Sequence, residues 1–155
     1  MDAVLTAIEQ WPYARFLRTN FYAYPLVNAL HILSIGALLT SVGLMHLRLA
    51  GFAQSLPATA FVGLLRRVAM GAFGLALLTG LSLFTVKAGD YADSPLFLTK
   101  LTLIAVAVLN FGLFSVIEAR VPPGLERPVS LKVMTVLSIG LWLAVLFCGR
   151  MLGFV

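Results

Sequence analysis

Residues Thr19 to Leu47 read TNFYAYPLVNALHILSIGALLTSVGLMHL, 29 positions without an aspartate, glutamate, lysine or arginine. At a helical rise of about 1.5 Å per residue, some ~20 residues cross a hydrocarbon layer of roughly 30 Å, so this stretch can span a bilayer with residues to spare. Three more charge-free intervals follow, Val68 to Val86, Leu101 to Ile117 and Val133 to Gly149, of 19, 17 and 17 residues. The shorter ones reach full length when a flanking lysine or arginine lays its stem along the apolar surface and keeps its charge among the headgroups. Without water, backbone polar groups must pair within the segment, and the intervals lack the alternation of a membrane β-strand. The reading is an all-α four-helix transmembrane bundle, with spans at about 25–47, 65–86, 95–117 and 132–152 of one 155-residue membrane domain.

Composition supports lipid as the solvent. The chain is 61% hydrophobic and 11% charged, whereas a water-soluble domain carries roughly 25% charged residues. Its single cysteine, Cys148, excludes a disulfide scaffold. The sequence has no phosphate-binding glycine loop, no serine–histidine–aspartate set and no zinc-helix motif, which points away from a hydrolase. The expected partners are the bilayer and another copy of the chain or a membrane complex; no nucleic acid is expected.

Residues 1–24 precede the first span. Val4, Leu5, Ile8 and Trp11 recur at helical spacing, Pro12 interrupts, and Tyr13, Arg15, Phe16 and Arg18 follow. An N-terminal interfacial amphipathic helix fits this pattern, with a frayed terminus as its alternative. Asp2 and Glu9 stand where a secretory signal would be basic or apolar. Four crossings leave both termini on one side, with five basic residues (Arg15, Arg18, Lys87, Lys100, Arg150) against six on the other (Arg48, Arg66, Arg67, Arg120, Arg127, Lys132). The larger basic count favours the cytoplasm, so both termini are expected to be periplasmic. Tyr13, Tyr22, Tyr24, Tyr91 and Trp11 would form an aromatic belt at the terminal-side interface. Leu47 to Leu64, with Pro57, and Ala119 to Leu131, with Pro122, Pro123, Gly124 and Pro128, are expected to be loops.

Small residues mark helix contacts. Ala72, Ala76 and Gly80 recur every four positions in the second span, with Gly71 and Gly74 beside them, and such residues let helices approach closely. Polar groups inside spans cost free energy to keep there, which makes them the functional candidates. Asn28 and His31 lie three residues apart on one face of the first span, and Asn110 lies near the middle of the third. His31 could ligate haem b, contact a quinone or relay protons; alternatively it is a histidine bonded to a neighbouring hydroxyl or carbonyl. Antiparallel counting places Thr79 and Gly80, the stretch around Leu103, and Cys148 near its level, and Gly80 would leave room there for a planar group. Lys100 and Arg150 would then meet cofactor carboxylates at the outer interface. A bis-histidine haem is excluded within one chain, because His46 lies about 22 Å farther along the same helix. Met45, His46, Met70 and Met134 gather toward the other end. Such ligands can select copper(I), but without a repeated Met-x-x-Met or paired cysteines they read as packing and no copper site is expected.

The segments YPLVNALHILSIGALLTSVGLMHLRLAG, GLALLTGLSLFTVKAGDYADSPLFLTKLTLIAVAVLNFGLF and LWLAVLFCGRMLGF resemble a family of uncharacterised bacterial four-span membrane proteins. The resemblance runs through His31, Tyr91, Pro95, Lys100, Asn110 and Gly149-Arg150. It implies four helices in a bacterial inner membrane and brings no activity with it. Where members of that family often carry a histidine, this chain has Ser115, several turns deeper than His31. The general look is also similar to copper-resistance D-type and small membrane cytochrome bundles, as a likeness of fold. Two functional classes stay open: a redox bundle that binds a cofactor through His31, and a structural or assembly subunit or small oligomeric transporter without cofactor.

Overall fold

A computed structural model describes residues 2–49, 57–122 and 128–154. The chain divides into two helical units, residues 1–93 and 94–155. The first holds α1 (Asp2–Gln10), α2 (Pro12–Thr19), α3 (Ala23–Leu49), α4 (Ala58–Phe84) and α5 (Ala88–Ala92); the second holds α6 (Pro95–Glu118) and α7 (Val129–Met151). No strand occurs among the described residues. Four helices, Ala23–Arg48, Thr59–Phe84, Pro95–Glu118 and Val129–Met151, are long and apolar enough to cross a membrane. The fold is therefore all-α, with four long helices compatible with a four-helix transmembrane bundle. Leu33, Leu78, Leu109 and Phe147 point outward, as expected where the surroundings are acyl chains and not water.

The helix ends follow local chemistry. Asn20 starts α3: its Oδ1 accepts from the Tyr22 and Ala23 amides at 3.0 and 3.1 Å, which would otherwise be orphan donors at a helix N-terminus. Pro25 falls within the first turn, where its missing N–H costs nothing. Ser94 caps α6 by accepting from the Phe97 amide at 3.4 Å, with Pro95 in the first turn. The second span differs most from expectation. It begins at Ala58 after Pro57, so Phe61 to Leu64 are helical and Arg66 and Arg67 lie well inside the helix. Charge-free length underestimates such a helix, because long arginine stems carry their charge away from the backbone they belong to. The loop expected over 47–64 shortens accordingly, since α3 runs to Leu49; residues 50–56 lie outside the described residues. In the other loop Pro128 immediately precedes α7, whereas Pro123 and Gly124 lie outside the described residues.

Residues 2–19 form two helices, broken at Trp11 before Pro12. They also dock. The Gly89 amide donates to Glu9 Oε1 at 2.9 Å, joining α1 to α5, and Arg18 Nη2 donates to the Glu9 carbonyl at 2.8 Å, joining α2 back to α1. Ala14 and Leu17 on α2 are buried, while Trp11, Phe16, Phe21 and Tyr22 stay exposed. The segment thus has a protein-facing side as well as the aromatic side expected at an interface.

Candidate functional site

α3 and α4 form an antiparallel pair whose contact face is small and hydroxyl-rich. Ser34, Leu38 and Ser41 are buried on α3, and Ala69, Ala72 and Thr79 on α4. Small side chains bring the backbones close, which is how helices gain dispersion energy where lipid removes any hydrophobic driving force. The hydroxyls satisfy themselves locally: Ser34 Oγ donates to the Leu30 carbonyl at 2.7 Å and Thr79 Oγ1 to the Leu75 carbonyl at 2.7 Å.

His31 sits in this face. Its Nδ1 lies 2.9 Å from Thr79 Oγ1. A hydroxyl has one proton, and the Thr79 proton is directed to its own helix at the Leu75 carbonyl. The 2.9 Å contact is then one in which Nδ1–H donates and Oγ1 accepts. Beside it, a Cβ placed on Gly80 would stand 3.0 Å from His31 Cε1. The room that Gly80 was expected to offer a planar group is taken by the imidazole itself. His31 thus faces the Gly80 turn of α4, and Thr79, reached by antiparallel counting only as a neighbour in depth, is the residue that orients it. Asn28 is half-buried one turn earlier, but the Nδ1 bond goes to Thr79 on the neighbouring helix.

The remaining candidates lie in the second unit. Asn110 is buried, and its Nδ2 donates to the Met134 carbonyl at 3.1 Å, tying α6 to α7. Lys100 is half-buried, and its Nζ lies 3.5 Å from where a Gly149 Cβ would stand. Arg150 is exposed and holds its guanidinium carbon 4.4 Å above the Phe154 ring, a cation–π contact. Asn110 is committed to packing, whereas Lys100 and Arg150 gather at one end of the α6–α7 pair.

Of the methionine–histidine group, Met45, His46 and Met70 belong to the first unit and Met134 to the second. With His31 level with Thr79, Met70 falls opposite Thr40, about 8 Å along the axis from Met45 and His46, and it is exposed. Met134 belongs to the second unit, where its carbonyl receives Asn110. Both His46 ring nitrogens are buried without a hydrogen-bond partner, and no group of three or more His, Cys, Asp or Glu able to hold a metal occurs among the described residues. His31 offers one imidazole, with Nδ1 in contact with Thr79. Comparison with protein-family models, with curated proteins and with solved structures finds no match.

Proposed function

We propose that this chain is a bacterial inner-membrane protein of the redox type, in which His31 presents Nε2 to haem b or to a quinol hydroxyl. The observation that supports this reading is the Nδ1 contact with Thr79. A partner that fixes one ring nitrogen sets the tautomer and raises the basicity of the other, the device by which proteins orient histidine ligands. A lone pair on Nε2 suits iron, or an O–H donor; an oxidised quinone carbonyl would require a proton on that nitrogen instead. Bound haem would supply one-electron chemistry and a quinol two electrons with two protons. The chain's own contribution is to hold the ring and, with a quinol, to accept a proton at Nε2.

A second reading, a structural or assembly subunit or small oligomeric transporter, is favoured by the same hydroxyl-bonded ring and its close fit against Gly80, which are complete as helix packing. Absorption spectra and quinone extraction of the full chain purified from bacterial membranes separate the two. The redox reading expects a Soret band or retained quinol, lost in His31→Ala, weakened in Thr79→Val and restored in Thr79→Ser. A colourless, quinol-free protein, or unchanged content in a folded His31→Ala, would overturn it in favour of the structural reading. Periplasmic termini belong to the same proposal: outside labelling should modify Asp2→Cys and spare Gly124→Cys, and the reverse would invert the topology.

A further inference from the structure

The α6–α7 pair carries two cations, Lys100 and Arg150, at one end. The Asn110–Met134 bond sets the antiparallel register, which puts the Lys100 Cα level with about Ala144 on α7. Its Nζ nevertheless lies beside Gly149, about 7 Å nearer the helix ends by the same rise. Side chains lean toward the N-terminus of their own helix, so Lys100 on α6 extends toward that end, with its ammonium packed beside Gly149. Arg150 is the penultimate residue of α7, its guanidinium steadied over Phe154. Both residues therefore lie toward the end of the pair where α6 begins and α7 stops. Glu118, the last residue of α6, belongs to the opposite end of the pair. No ion pair joins Lys100 or Arg150 to a carboxylate among the described residues.

We infer that Lys100 and Arg150 form a binding site for the phosphate of an anionic phospholipid. Two cations at one end of a helix pair prefer a headgroup with net negative charge to a zwitterionic one, whose ammonium they repel. Phosphate oxygens can accept from both a lysine point charge and an arginine fork. The site uses no residue of the His31 cluster and does not depend on the redox reading.

Native mass spectrometry of the full chain in detergent, titrated with phosphatidylglycerol and with phosphatidylcholine of the same acyl chains, tests it. The wild type should retain one phosphatidylglycerol in preference to phosphatidylcholine, and added salt should reduce the preference. Lys100→Met and Arg150→Gln should each weaken retention by about fivefold, the effect of one basic residue near an anionic surface. Lys132→Met, at the other end of the same helix pair, should not. Displacement of the lipid by inorganic phosphate at equal concentration would reassign the site to a free anion. Equal retention of both lipids by the wild type would overturn the proposal without reference to any variant, as would unchanged retention in folded Lys100→Met and Arg150→Gln.

Discussion

The two long helix pairs solve the same packing problem with different residues. In α3–α4 the buried face is serine, threonine and alanine around Leu38, and the bond that crosses it joins two side chains, His31 and Thr79. In α6–α7 the face contains Leu131, Leu141 and Val145 with Ala107, and the crossing bond runs from the Asn110 amide to a backbone carbonyl. The second pair depends on filled volume and a group that does not titrate. The first depends on close approach, and its crossing bond is made by a group that binds protons.

Truncating the filled core should have the largest effect. Leu131 is 1% exposed, and Leu131→Ala should destabilise the protein by about 2–4 kcal/mol through the cavity left behind, read by denaturant unfolding in mixed micelles. A loss below about 1 kcal/mol would mean that α6–α7 can collapse around the gap.

Glycine substitutions should separate the pairs next. Gly80→Leu must displace the His31 ring, already at 3.0 Å from the first added carbon, at a cost of about 1–3 kcal/mol. Gly140 in α7 has nothing within 4 Å of an added Cβ, so Gly140→Ala should be neutral or stabilising by up to about 1 kcal/mol. Equal tolerance at both positions would remove close approach as the distinguishing feature of α3–α4.

Smaller again is the loss of one crossing bond. Asn110→Leu should cost about 0.6 kcal/mol and at most about 1.7, with the same value at every pH because an amide does not titrate. A pH-dependent loss would show that a titrating group shares that bond.

The smallest effect belongs to the connection that follows α4, where Tyr91 stacks against Phe84 with ring centroids 6.2 Å apart. Burial pushes its phenol above the usual 10.0, and Tyr24 and the Asp90 carboxylate push the same way. A raised folded-state pKa binds the proton more tightly than the unfolded chain does. The resulting stability is fully present below about pH 10 and is lost as pH rises through the folded value. Ultraviolet titration of tyrosinate should lose its latest-ionising component in Tyr91→Phe; an unchanged upper limb would place that component elsewhere.

Much of this was legible in the chain itself. Charge-free length located all four apolar helices, because lipid penalises exposed charge and unpaired backbone so strongly that composition alone marks the spans. The span expected from Pro95 starts there, whereas α7 begins at Val129, three residues before the expected 132, and spacing put Asn28 and His31 on one face. What composition marks poorly is where charge may be carried inside a helix, and so the start of α4 at Ala58 emerged only from the structure. The docking of Glu9 on Gly89, 80 residues away, had no local signal, since a carboxylate accepting from a remote amide depends on how the chain returns. The same holds for the site. The sequence by itself named His31 as the costly group and placed Thr79 and Gly80 at its depth. Only the tertiary structure decided that Thr79 orients the ring, that the ring fills the space beside Gly80, and that Lys100 reaches Gly149. Depth follows from counting along one helix, whereas the choice of partner depends on the rotation and separation of two helices, which no single segment encodes.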